Sequence, residues 1–290
     1  MISYTAISFV DPVVKQSFHR HHFGNDIIRG QNVLNINSPR NNFCGEHLSF
    51  GEMCPKIYTE LASCELNENC FDCPDIRHNG TTNLRQAQLA LTRMLRIFDL
   101  IARKYNMPYW IRSGTLIGAI RHQGFIPWDD DIDIEIPLMY YIDFFENISK
   151  ELPDDMFFQT SITDKHHHPN TLLGSLTTRR DKRVGIYAGN WRPKVRDRSS
   201  CYTYCLHSGC EWHDGLQLDI FVTDTIPWGI FPLREMQFEG FNILVPNHWR
   251  SVISSEFPYF MELPSKEDRM SKNMGLDPIH SCENLARKTQ

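Results

Sequence analysis

The sequence predicts an α/β (α+β) protein on three observations. Apolar residues recur at helical spacing from Leu84 to Tyr105, acidic residues and isoleucine alternate from Asp131 to Ile136, and a later, mostly apolar run, Leu216 to Val222, encloses Asp219. With 290 residues, 41% of them hydrophobic, the chain can bury one full core and an appended region. Its net charge of −5 argues against a dedicated nucleic-acid binder, which would neutralise phosphates with a basic face.

Residues 1–80 are rich in Asn, His, Cys and Pro and show no sustained period, which predicts an irregular, loop-rich region. Leu84, Ala87, Leu91, Leu95, Phe98, Ala102 and Tyr105 then mark an amphipathic helix that ends near Asn106 and Pro108, and this stripe is core. Tyr109–Ile111 reads as a short strand, Ser113–Thr115 as a turn, and Leu116–Arg121 as a short helix. Pro127 and Trp128 fix the entry of the acidic strand, and Pro137 starts a helix carrying Tyr141, Phe144, Phe145 and Ile148. Residues 156–159, 172–177 and 184–188 read as short strands. Residues 189–214 form a long, basic, cysteine-containing loop, in which Arg192, Lys194, Arg196 and Arg198 either steer an anionic substrate or make a solvated basic surface. A helix follows at 247–257, and the polar tail 265–290 reads as disordered. No run of 18 apolar residues and no signal-peptide core follows Met1, so a soluble chain without a membrane segment is expected.

The chemistry is carried by carboxylates. Successive strand side chains face opposite ways, so Asp131, Asp133 and Glu135 share one face while Ile132, Ile134 and Ile136 take the other. Two carboxylates about 7 Å apart repel unless a cation lies between them, and hard divalent ions such as Mg²⁺ or Mn²⁺ prefer oxygen ligands. The bland alternative, a solvated acidic turn, does not account for the alternating isoleucines. An EF-hand loop is excluded, because counting from Asp129 puts Ile134 and Tyr140 where Gly and Glu are needed. Upstream, Ser113, Gly114 and Thr115 lead into a helix N-terminus that offers N–H groups to a phosphate. Asp219, enclosed by Leu218 and Ile220, requires a metal, an arginine or a cap as partner, and the upstream features favour the metal. Arg121 and His122 end the short helix as candidates for substrate contact, with Arg121 pairing to Asp129 or Asp130 as the other reading.

Nine cysteines divide between two readings. Cys64, Cys70 and Cys73, spaced Cys-x5-Cys-x2-Cys, supply three thiolates of a tetrahedral Zn²⁺ site; disulfides compete and are preferred. The odd count leaves one thiol over, expected at Cys282. The sequons Asn79-Gly80-Thr81 and Asn147-Ile148-Ser149 are compatible with the secretory pathway. His166 to His168 cannot all face one ion and read as a surface loop.

The glycine turn, the Asp-x-Asp strand and the later enclosed Asp resemble the three-part signature of the nucleotidyltransferase fold. The string from Ser113 to Ile134, with Pro127-Trp128-Asp129-Asp130-Asp131-Ile132-Asp133, resembles the LicD family of bacterial phosphocholine transferases and animal fukutin and fukutin-related ribitol-phosphate transferases. The resemblance runs from about residue 84 to 264, through Phe238-Glu239-Gly240, and departs at Phe257-Pro258-Tyr259, where many relatives carry Tyr-Gly. It implies a mixed β-sheet flanked by helices and a catalytic domain over 81–264. It also implies metal-dependent transfer of phosphocholine, ribitol phosphate or a similar group from a CDP-activated donor to a glycan or glycoprotein hydroxyl. On that reading Asp131, Asp133 and Asp219 hold Mg²⁺ or Mn²⁺, while Ser113, Gly114, Thr115, Arg121 and His122 bind substrate. Cysteines before the acidic strand bind zinc in fukutin-related members, which extends the resemblance to a structural Zn²⁺. A catalytically inactive binding member and a nucleotidyltransferase acting on RNA or a small molecule are the competing functions. Animal members are Golgi membrane proteins, so the expected compartment is the secretory lumen if an anchor precedes this chain and the cytoplasm otherwise.

Overall fold

In chain order the elements are helix α1 (Tyr58–Leu61), hairpin β1 (Glu65–Asn67) and β2 (Cys70–Asp72), helix α2 (Asn83–Lys104), strand β3 (Trp110–Ile111), helix α3 (Ser113–His122), strand β4 (Ile132–Pro137) and helix α4 (Leu138–Glu146). Strands β5 (Met156–Gln159), β6 (Lys194–Asp197), β7 (Cys201–Tyr202) and β8 (Gln217–Thr223) follow. The chain continues through hairpin β9 (Arg234–Phe238) and β10 (Phe241–Val245), helix α5 (Trp249–Glu256), strand β11 (Leu276–Asp277) and helix α6 (Cys282–Lys288). This computed structural model describes residues 43–288 apart from 47, 68–69, 161–162, 165–192, 204–210 and 271–274. The strands expected at 172–177 and 184–188, the histidines at 166–168 and Arg192 lie outside the described residues.

Among the described residues the central sheet is mixed, as the resemblance implies, with five strands in the order β3-β4-β8-β6-β5. Only β4 and β8 run parallel within it. Their register sets Ile132, Ile134 and Ile136 beside Leu218, Ile220 and Val222, and the first five of these are sealed from water. Each such burial contributes about 1.5–3 kcal/mol, which fixes which face of the two strands turns inward and leaves the carboxylates on the other.

Helix α2 starts where Thr82 Oγ1 accepts from the Arg85 amide at 3.2 Å and ends before Asn106, whose φ of +49° terminates it. Its predicted stripe is buried from Leu84 to Ala102, but so are Leu89, Ala90, Met94 and Ile101 between those positions. The reason is that the segment around Cys64 and Cys73 folds back over the helix: Arg93 Nε donates to the Cys73 carbonyl at 2.7 Å, and Arg96 Nε to the Cys64 carbonyl at 3.4 Å. Tyr105 falls beyond the helix end, 41% exposed, and does not extend the stripe. The Phe238-Glu239-Gly240 motif makes the β9–β10 turn, with φ of +53° and +87° at its last two residues. The buried Glu239 carboxylate accepts from Arg85 at 2.7 Å and from the Tyr58 amide at 3.0 Å, tying that hairpin to α1 and α2.

Three expectations are corrected. The segment 189–214 is not a continuous loop, since it contributes β6 and β7. Charged residues interrupt the strand period there, and their burial is made tolerable by partners: Lys194 meets Asp219, Arg196 meets Gln159, and Asp197 meets Arg77. The tail is not a detached polar segment, because β11 pairs with β7 and α6 is bonded to it through Cys201–Cys282. Cys282 is therefore the partner of Cys201 and not the leftover thiol. Disulfides also join Cys44 to Cys54 and Cys64 to Cys73, and the second takes two of the three thiolates proposed for zinc with Cys70. The Cys201–Cys282 bridge spans 81 residues of sequence. Cys282→Ser is expected to lower unfolding free energy by about 2–5 kcal/mol in urea titrations, with reduction of the wild type, which opens all three bridges, costing at least as much.

Candidate active site

Strand β4 presents Asp131 just before its first residue and Asp133 within it, and the parallel register places Asp133 beside Asp219 of β8. One carboxylate oxygen from each of Asp131, Asp133 and Asp219 lies within 4.8 Å of the others. Gln217, two residues before Asp219 on the same face, donates to Asp219 Oδ2 at 3.4 Å. The partner that Asp219 needs is not an arginine: Lys194 Nζ contacts Asp219 Oδ1, with both side chains nearly buried. The cross-strand register continues from Asp133 and Asp219 to Lys194 on β6 and Gln159 on β5. A polar row thus crosses four strands of one sheet face, about 4.8 Å per step.

Helix α3 closes one end of this row. The Asp133 amide donates to Thr115 Oγ1 at 2.9 Å, and the Arg112 amide donates to the Asp133 carbonyl at 3.1 Å, so the first turn of α3 is fastened to β4 at the acid itself. Ser113 enters the helix with φ of +46°, a left-handed conformation that costs a residue with a Cβ about 1–2 kcal/mol. A Cβ on Gly114 would lie 2.7 Å from Asp129 Oδ2, so a side chain there would make the Asp129 carboxylate turn aside. Ser113, Gly114 and Thr115 therefore sit beside the carboxylates. Arg121 and His122 do not: they lie six or more residues further on, at least about 9 Å along the helix axis, and both are buried. Arg121 donates to the Phe260 and Glu262 carbonyls at 3.0 and 2.7 Å and to His122 Nε2 at 2.9 Å, which anchors the segment after α5. Burial, and then the charge of Arg269, pulls the Arg121 pKa down to about 10, so it stays protonated at neutral pH.

Residues 106–248 match the family model described as LicD/FKTN/FKRP, nucleotidyltransferase domain. The chain carries a LicD-family domain. A protein of Haemophilus influenzae named lipopolysaccharide cholinephosphotransferase LicD is 53% identical over 51 residues, which is 18% of this chain and 19% of that protein. An uncharacterized protein of Rickettsia prowazekii is 52% identical over 48 residues, 17% of this chain and 18% of the other. Each similarity spans less than a fifth of the relative's length.

The LicD domain contains the whole polar row from Asp133 to Gln159 and the first turn of α3. It begins after α2, although α2 packs on the sheet and supplies much of its core. Tyr202 is the neighbour that sequence reasoning missed. It is buried, and its hydroxyl lies 3.5 Å from the Asp130 carbonyl. Burial, then the charge of Asp130, holds its phenol well above the usual pKa and therefore neutral. A two-residue strand in a cysteine-containing segment carried no periodic signal that could have found it.

Helix α3 packs closely on the segment that follows it. A Cβ on Gly118 would lie 2.4 Å from the Gly124 carbonyl oxygen, backbone against backbone. Gly118→Ala is expected to lower thermal stability by about 1–3 kcal/mol, checked by calorimetry, because neither side can yield without moving α3.

Proposed function

We propose that this LicD domain is a metal-dependent transferase that moves a phospho-alcohol group from a CDP-activated donor to a glycan hydroxyl. The observation that carries the reading is the meeting of Asp131, Asp133 and Asp219 within 4.8 Å on one face of the sheet, beside the first turn of α3. Hard carboxylate oxygens from two adjacent parallel strands suit Mg²⁺ or Mn²⁺, which keep remaining positions for water and phosphate oxygens. These three residues would hold the ion, which when bound neutralises charge on the donor diphosphate. The name of the Haemophilus influenzae relative supports phosphocholine as one candidate group.

The remaining work falls to the chain's own groups. Thr115 keeps Asp133 in register with α3, and the amides of that first turn would hold phosphate oxygens. In the reaction the acceptor oxygen bonds to the phosphorus carrying the alcohol, the bond to the CMP oxygen breaks, and one carboxylate of the cluster takes the acceptor proton. The test is CMP release from CDP-choline, CDP-ribitol and CDP-glycerol, each with Mg²⁺ and a mixed glycan acceptor pool. Release from one donor establishes reaction and donor together. Pyrophosphate release from CTP or ATP instead would overturn the reading in favour of nucleotidyl transfer, and Mg²⁺-dependent CDP binding without turnover would mark a binding protein.

A further inference from the structure

Among the described residues, Lys194 contacts the carboxylate cluster directly, and three observations set it apart from a surface lysine. Its Nζ meets Asp219 Oδ1, and its side chain is only 11% exposed. Register pairing on β6 places it opposite Asp219, so its backbone position is fixed by the sheet. It follows Asp133 and Asp219 in the polar row, on the side away from α3.

Three carboxylates within 4.8 Å repel one another, and a buried ammonium beside them offsets part of that repulsion. The same ammonium opposes any dication that approaches Asp219, since it occupies one of its oxygens and adds like-charge repulsion. A nucleotide diphosphate removes the conflict by bringing negative oxygens that the ammonium can take in place of Asp219. Lysine suits this exchange, because its charge is a point on a flexible four-carbon stem, whereas arginine would lock a planar fork onto one carboxylate.

We propose that Lys194 is the built-in counter-ion of this cluster and cedes Asp219 to the divalent ion when a nucleotide diphosphate arrives, so that metal and nucleotide bind cooperatively. The proposal rests on the reading of the cluster as a metal centre. It assigns Lys194 a positioning role in loading the site, beyond a role in holding β6 to β8.

Calorimetric titration tests it, with Mn²⁺ as the metal and CDP as the nucleotide. Mn²⁺ is titrated alone, and CDP with and without saturating Mn²⁺, into wild type, Lys194→Met, Lys194→Gln and Asp133→Asn, each first checked for cooperative melting. In the wild type, Mn²⁺ is expected to tighten CDP binding at least about tenfold, a coupling that must be reciprocal. In Lys194→Met and Lys194→Gln, Mn²⁺ alone is expected to bind at least about tenfold tighter than to wild type, and the coupling to CDP is expected to collapse. A merely structural lysine would instead leave Mn²⁺ affinity unchanged or weakened. That result, or a wild type whose CDP affinity ignores Mn²⁺, overturns the proposal while the metal centre stands, provided Asp133→Asn abolishes Mn²⁺ binding. Absence of Mn²⁺ binding in every protein, with or without CDP, is the separate outcome that removes the metal centre and this proposal with it.

Discussion

Asp133→Asn is expected to lower turnover by roughly 10³-fold, the loss of about 4 kcal/mol of transition-state stabilisation when the metal charge is no longer held in place. Folding should survive the change. The Asp133 backbone is secured by Thr115 and by Arg112, and neither bond uses its carboxylate. Removing one of three close negative charges also relieves repulsion among them. Mg²⁺ should raise the wild-type melting temperature and leave the variant's unchanged. Asp219→Asn differs in a way that separates the two acids: it also takes a partner from buried Lys194, and should cost about 1–3 kcal/mol of stability in addition to turnover. Full activity in both variants would sink the assignment of these carboxylates.

The acidic strand was legible because alternation with isoleucine leaves one solution for which face is buried. The helix of residues 83–104 was legible for the same reason, but its second apolar side was hidden, since what covers it comes from an irregular region with no period of its own. Strand β6 was illegible. Lys194 and Arg196 read as part of a basic loop that steers an anion or faces solvent, and only partners on other elements make them, with Asp197, interior residues. Such pairings join residues 25 to 120 positions apart, a distance over which no local pattern carries information. The same limit explains Cys282, which is bonded to a cysteine 81 positions away and was read as free. For Arg121, proximity in sequence to the glycine turn hid the length of the helix between them.

Arg77→Met is the substitution expected to cost most in stability. Arg77 is buried, and its two terminal nitrogens each meet one Asp197 oxygen at 2.8 Å, while Nη1 also donates to the Pro278 carbonyl at 2.6 Å and Nε to Asp75 Oδ2 at 2.8 Å. One guanidinium thereby ties the segment before α2, the sheet strand β6 and the segment after β11. Removing it leaves the Asp197 carboxylate, itself only 2% exposed, without this bidentate partner, a change that costs about 3–5 kcal/mol. In a chain of this length that is roughly 10 °C of melting temperature. The acid side of the stability profile should change with it. Burial alone would raise the Asp75 pKa, but the hydrogen bonds and charge of Arg77 outweigh burial and hold it below the usual carboxylate range. A carboxylate depressed in the folded state stabilises above its unfolded pKa of about 3.9 and loses that contribution as pH falls through the lower folded value. Arg77→Met should therefore flatten the acid limb below about pH 4 as well as lower the plateau. The double change Arg77→Met with Asp197→Leu distinguishes charge burial from lost packing: if the penalty comes from an uncompensated carboxylate, the pair should recover most of the stability that the single change removes. Additive losses would instead show that Arg77 acts chiefly through its bonds to Asp75 and the Pro278 carbonyl, holding the C-terminal segment against the sheet.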